Sequence, residues 1–285
     1  MLTRSTWFAR ILRTVLLLVA AGFALMFWVG DGWFYFPNQR VYAAPTDFGV
    51  DVEEISFAAP GGPSLHGWWM QAPGEPKGTV VYCHGNAANI TLHAHYVEWL
   101  PKRGYSVLVF DYRGYGRSEG APTRAGTVAD AVAAIDLALA RDPDHTVVFG
   151  HSLGGAIGVA AAAQRPAVRG VIAESTFSNY REIACSKAPL LAPLVPLFLT
   201  DGLDPDDALA ALPPAPLLVI HGGRDRIVPC AHGQRLFEQA HEPKELWLVP
   251  EAGHATPWRS RPEEFERRFE SFFASAMASG RRRGA

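Results

Sequence analysis

Cysteine is scarce in this chain. There are three in 285 residues, Cys83, Cys185 and Cys230. They lie far apart and none belongs to a C-x-x-C pair, so neither a zinc site nor a redox dithiol is supported. An odd number cannot form a fully paired disulfide framework, and a Cys185–Cys230 bridge has no positive support. Net charge is also small, −2 at neutral pH. The only basic run is Arg281-Arg282-Arg283 at the C-terminus, which reads as a solvated tail, so the balance argues against a nucleic-acid partner. Internal repeats and low-complexity linkers are absent. Gly114-Tyr115-Gly116 supplies a Gly-x-Gly but not the rest of a dinucleotide fingerprint, and reads as a turn packing beneath a site. His93-Ala94-His95 places two imidazoles two residues apart, which on a helix point apart, so no metal is expected there or elsewhere.

What the chain does contain is apolar: 48% hydrophobic against 19% charged residues. That suits one large α/β domain with a sizeable core. An uncharged apolar run covers residues 14–30, preceded by Arg4, Arg10 and Arg13 and followed by Asp31 and the aromatic group Trp33-Phe34-Tyr35-Phe36. Counted from Ile11 or on into the aromatics, it reaches the about 20 residues of a spanning helix. The expectation is an N-terminal transmembrane helix with a short cytoplasmic tail over residues 1–36, and the α/β domain over 37–285. Positive residues stay on the cytoplasmic side, so a single-pass, membrane-anchored protein with its domain periplasmic or otherwise extracytoplasmic is expected. A cleaved signal peptide is the rival, with small residues at Ala21-Gly22-Phe23-Ala24. The apolar run continues past them, which favours a retained anchor.

From Val50 the pattern turns to strands. Residues 52–57 and 65–70 flank the turn Pro60-Gly61-Gly62-Pro63 and read as a hairpin. Trp68 and Trp69 point to opposite faces, as core and edge packing. Thereafter strands at 78–84, 106–110, 146–149, 168–173, 217–221 and 245–249 alternate with helices at 91–103, 124–141, 156–163, 230–240 and 262–277. Such alternation predicts a mainly parallel sheet with helices on both faces. A Pro- and Leu-rich stretch, about 175–214, interrupts it; it reads either as an irregular connection packed on the core or, favoured by its place between the corner at 150–154 and the next strand, as a small lid insertion whose apolar side lines an acyl pocket.

The chain is organised around Gly150-His151-Ser152-Leu153-Gly154, a G-x-S-x-G between an apolar β-branched strand and an apolar helix. A corner that sharp needs glycines, and it lifts Ser152 to a helix N-terminus in a strained conformation. A serine hydroxyl is a weak nucleophile that needs a base and an orienting acid. His254, in the turn Pro250-Glu251-Ala252-Gly253-His254 after a strand, is the best base. Asp225, just past a parallel strand, is the best acid, with Glu251 a weaker rival. Asp201, Asp204, Asp206 and Asp207 read as helix caps or solvent-facing groups. The oxyanion donors expected are the backbone N–H groups of Leu153 and of Asn86 in His84-Gly85-Asn86. His84 reads as structural, and His151 as a group that packs or shapes the pocket.

HGNAAN (84–89), DYRGYGRSEG (111–120), GHSLGG (150–155), ESTFSNY (174–180), HGGRDRIVP (221–229) and EAGH (251–254), in this order, resemble the α/β-hydrolase superfamily. More narrowly they resemble its membrane-anchored serine-hydrolase branch, as does Tyr35-Phe36-Pro37 after an apolar segment. The resemblance runs from about residue 34 to the C-terminus. It implies an α/β-hydrolase fold, nucleophile, acid and base at Ser152, Asp225 and His254, oxyanion donors at Asn86 and Leu153, and no cofactor. Ala255 departs from the pattern, since many relatives carry a polar residue after the histidine. The activity implied is hydrolysis of carboxylic esters or acyl thioesters through a covalent acyl-enzyme, with a small-molecule ester or acyl lipid as partner. A peptidase or amidase on the same triad is the alternative, and a catalytically silent membrane-anchored binding protein the non-enzymatic one. A carboxylate at the elbow would have suited dehalogenase or epoxide hydrolase chemistry, and here that position is Ser152.

Overall fold

The structure, a computed structural model, describes residues 4–29, 34–197, 199, 202–212 and 215–281. Its first element is α1 (Arg4–Val29). Two antiparallel strands follow, β1 (Val52–Phe57) and β2 (Leu65–Met70), then β3 (Gly78–Cys83). Two single-turn helices, α2 (Ile90–His93) and α3 (Trp99–Lys102), lead to β4 (Tyr105–Phe110). Next come α4 (Arg124–Arg141), β5 (Thr146–His151), α5 (Leu153–Ala162) and β6 (Gly170–Glu174). After α6 (Tyr180–Lys187) and α7 (Pro205–Ala211), the alternation resumes with β7 (Leu217–Gly222), α8 (Cys230–Gln239) and β8 (Lys244–Val249). The short α9 (Pro257–Ser260) and α10 (Pro262–Arg281) are the last elements of the described residues.

All eight strands form one sheet in the order β1-β2-β4-β3-β5-β6-β7-β8. The β1–β2 and β2–β4 pairings are antiparallel, and every pairing from β4 to β8 is parallel. Every residue of β3, β4, β5, β6 and β7 is buried. That follows from helices on both faces, which is why these strands read as continuous apolar runs. Alternate residues serve alternate faces. Val81, Leu108, Val148, Ala173 and Val219 meet Val128, Ile135, Ile157 and Leu236 of α4, α5 and α8. Val80, Tyr82, Val109, Phe149, Ile172 and Ile220 meet Leu100, Phe265, Phe269 and Phe273 of α3 and α10. Each fully buried side chain of this size contributes about 1.5–3 kcal/mol. Trp68 and Trp69 divide between the two faces as their register requires.

Two expectations are corrected. The helix expected over 91–103 is three short pieces, with a 3₁₀ turn at Ala94–Tyr96 between α2 and α3. Pro101 has no N–H to offer Val97, and the Val97 carbonyl instead accepts from Leu100 at 2.9 Å, a tighter turn. The second correction concerns the N-terminus. Among the described residues, no helix is long and apolar enough to cross a membrane. Although α1 is 26 residues long, Arg4, Arg10 and Arg13 lie within it, and its uncharged part begins only at Thr14, short of the about 20 residues a span needs. The single-pass anchor, the membrane as partner and the extracytoplasmic placement derived from them are therefore set aside.

Candidate active site

The C-terminal ends of β3, β5, β6, β7 and β8 converge on one edge of the sheet, where sites of open α/β sheets form. At the end of β5 the chain turns through Ser152, whose φ of 54° and ψ of −125° lie outside the ordinary helix and strand regions. Such a conformation costs on the order of 1–3 kcal/mol and persists only where its surroundings enforce it. Here the Ser152 N–H donates to the Glu174 carbonyl at 2.8 Å, and α5 begins at the next residue. Gly154 rests directly on the Cys83 and His84 carbonyls, where any Cβ would collide with both. Gly150 in turn lies against the Gly154 carbonyl. The glycines are thus required by contact between β3, β5 and α5, not by a left-handed backbone.

Ser152, His254 and Asp225 come from three different loops and form one hydrogen-bonded chain. The Ser152 Oγ lies 3.0 Å from His254 Nε2, and His254 Nδ1 lies 2.8 Å from Asp225 Oδ2. Asp225 accepts at Oδ1 from the N–H groups of Ile227 and Val228, both at 2.8 Å. His221 Nε2 stands 3.4 Å from Asp225 Oδ2 and 2.9 Å from the Val228 carbonyl, which holds its proton on that nitrogen. Burial pushes the Asp225 carboxyl up, but hydrogen bonds from His221, His254 and the Val228 N–H outweigh it and hold the group below the carboxylate range. It is therefore an anion able to keep the proton of His254 on Nδ1, leaving Nε2 to accept from a hydroxyl. The loop bearing His254 is tied at both sides: Gly253 N–H donates to Thr256 Oγ1 at 2.9 Å, and Ala255 N–H to Ser175 Oγ at 3.1 Å. The rival acid Glu251 is exposed and bonds to Arg261 at 2.7 Å, away from this chain.

The loop after β3 carries the other expected donor. Among the described residues, the backbone N–H groups of Asn86 and Leu153 have no hydrogen-bond partner. Ala87 and Ala88 follow with φ of 63° and 55°, two consecutive non-glycine residues in the left-handed region. His84 sits fully buried beneath, with Nδ1 2.8 Å from the Gly85 carbonyl and Nε2 3.6 Å from Asp111 Oδ1. Burial, then the neighbouring His93, lowers its pKa well below the ordinary histidine value, so His84 is a neutral structural ring. His151 is equally buried, with Nδ1 2.9 Å from the Tyr82 hydroxyl and its ring stacked on Tyr96 at 4.7 Å. His93 turns inward to the Ala87 carbonyl at 3.0 Å, while His95 turns outward to Glu98 at 3.0 Å. The three cysteines are free, and burial raises the Cys83 thiol to about 12.

Several supporting groups were not singled out from the sequence. Ser175, with φ of 49°, steadies the His254 loop, and His221 steadies Asp225. Glu174 lies wholly buried beside His151 in the β5–β6 register, with no partner for either carboxyl oxygen among the described residues. All three belong to ESTFSNY or HGGRDRIVP, but no spacing rule separates a serine or histidine that touches the site from one that merely lies near it.

This strand order, with a serine at the strand-to-helix corner, defines the class of the α/β hydrolases. The family of serine aminopeptidases S33 matches residues 74–206. YfhR, a protein of Escherichia coli K12, is 34% identical over 259 residues, covering 87% of this chain and 89% of YfhR. The α/β hydrolase domain-containing protein WAV2 of Arabidopsis thaliana is 29% identical over 276 residues, covering 87% and 88%. A Pyrococcus furiosus esterase structure superposes with a TM-score of 0.71 at 23% identity, covering 86% of this chain and 98% of that one. An acylaminoacyl peptidase of Pyrococcus horikoshii gives 0.64 at 17% identity, covering 80% of this chain and 42% of that one. The chain belongs to the α/β-hydrolase superfamily.

Proposed function

We propose that the protein is a serine hydrolase that cleaves carboxylic esters or acyl thioesters. The observation that carries this reading is the continuous chain from Ser152 Oγ through His254 to an ionised Asp225, built on a strained residue at a helix N-terminus. Ser152 Oγ attacks the substrate carbonyl while His254 Nε2 takes the hydroxyl proton. The tetrahedral oxyanion accepts from the Leu153 and Asn86 N–H groups. Collapse of the intermediate breaks the bond to the alcohol or thiol, which leaves with the proton held by His254. Water then attacks the acyl-enzyme, gives its proton to His254, and Ser152 is restored as the acid departs. The insertion between β6 and β7 acts as a lid over the acyl group. Its helix α6 is fastened to the acid loop through Lys187 Nζ, which donates to the Arg226 carbonyl at 3.3 Å. A second reading, peptidase or amidase, draws on the match to serine aminopeptidases over residues 74–206.

The test is Ser152→Ala against a panel of p-nitrophenyl esters, acyl thioesters and aminoacyl anilides. Turnover of the preferred class should fall by roughly 10³-fold or more, and labelling by a fluorophosphonate should vanish. Labelling that persists in the variant would place the nucleophile elsewhere. Anilides cleaved faster than esters by the wild-type protein would favour the second reading.

A further inference from the structure

The side chain of Asn86, as distinct from its backbone N–H, is tied into an unusually dense set of hydrogen bonds. Its Oδ1 accepts from three donors: the Phe36 N–H at 2.9 Å, the Ala87 N–H at 2.8 Å and the Tyr115 hydroxyl at 2.9 Å. Its Nδ2 donates to the Phe34 carbonyl at 2.7 Å. Three donors on one side and a carbonyl on the other leave only one orientation for the amide. Asn86 thus grips Phe34 and Phe36, part of an N-terminal strap over residues 34–42 that crosses the loop. Pro37 pairs with Ala88 as a parallel bridge. Asn89 repeats the grip one turn on, its Nδ2 donating to the carbonyls of Asn38 at 3.1 Å and Arg40 at 2.8 Å. Between the two asparagines lie the left-handed Ala87 and Ala88. Strain of that kind needs external restraint, and the clamp supplies it.

We propose that the Asn86 side chain is the positioning residue of the oxyanion loop, and that the strap it holds is a working part of the active site. The proposal rests on reading the site as a serine hydrolase. Any residue other than proline has a backbone N–H at position 86. What the side chain sets is where that N–H points, and a displacement of about 1 Å can cost about 10²-fold in rate.

The full chain is treated with a fluorophosphonate, which needs no knowledge of the substrate. Ser152 Oγ bonds to phosphorus, fluoride leaves, and His254 takes the proton. The phosphoryl oxygen then occupies the oxyanion position. In Asn86→Leu the labelling rate per folded molecule should fall about 10²-fold. Asn86→Asp still serves the three donors but meets the Phe34 carbonyl with an oxygen in place of the Nδ2 donor, so it should recover only part of the loss. Tyr115→Phe keeps the ring and loses one donor, for an expected fall of about fivefold. The pH midpoint of labelling should stay unchanged, because His254 is untouched, and exchange of the Phe36 amide should accelerate in Asn86→Leu. A purely structural role would lower the melting temperature but leave the rate per folded molecule intact. If Asn86→Leu does not fold, Tyr115→Phe decides alone. Wild-type labelling rates in the variants, or a shifted pH midpoint, would overturn the proposal while leaving the hydrolase reading standing. A wild-type protein that takes no label at Ser152 would remove both.

Discussion

Glu174→Gln offers a direct measurement of the electrostatics under Ser152. Glu174 ends β6 between His151 of β5 and Ile220 of β7, wholly buried. Burial first, then the negative charge of Asp225, pushes its carboxyl up from 4.5 to about 8. The group is therefore protonated in the fold at neutral pH but ionised in the unfolded chain. The folded state binds more protons, so this residue makes stability fall as pH rises. Its contribution is fully retained below about 4.5 and lost progressively up to about 8. At about 1.36 kcal/mol per pH unit, that window amounts to at most about 5 kcal/mol. Glutamine has the same shape and does not titrate, and its buried amide carries a cost that is constant with pH. Asp111, raised to about 7 by burial despite the opposing N–H groups of Ile90 and Arg117, titrates in both proteins and cancels in the difference. Tyr82 and Tyr96, which feel the Glu174 charge, are themselves raised and stay neutral throughout. Urea unfolding of both proteins at about pH 5 and about pH 8 should show Glu174→Gln gaining on wild type by several kcal/mol between the two. A difference that does not change with pH would refute the burial of a neutral carboxyl at this position.

Asp225→Asn should keep the fold and lower kcat by about 10⁴-fold, because the amide favours the wrong His254 tautomer. Glu251→Gln, which touches only the exposed Arg261 pair, should leave ester turnover near wild type; the opposite pattern would move the acid role to Glu251. Gly154→Ala drives a Cβ into the Cys83 and His84 carbonyls of a central strand that cannot retreat. It should cost more than about 4 kcal/mol and leave little folded protein; a melting temperature within a few degrees of wild type would show that α5 can shift away from β3.

The positions of Ser152, Asp225 and His254 were legible in the chain because each follows an apolar strand, and strand ends of a parallel sheet share one edge. The strands themselves were legible because helices on both faces turn them into unbroken runs of Val, Ile and Leu. Helix 91–103 was misread because Pro101 and the inward pull of His93 on the Ala87 carbonyl are settled by the neighbouring loop, not by periodicity. The apolar N-terminal run suggested a span, but α1 takes in the arginines that had been read as its flank. Sequence by itself determined the strand-helix alternation, the glycine-flanked corner at Ser152 and the chain order of Ser152, Asp225 and His254, since those depend on local pattern and residue type. Tertiary structure alone decided that Phe34 and Phe36 lie across Asn86, that Ser175 ties the His254 loop and His221 meets Asp225, and that Glu174 is sealed beneath the elbow. Those contacts join residues far apart in the chain, and a hydrogen bond or a desolvated charge exists only once packing has brought its partners together or removed its water.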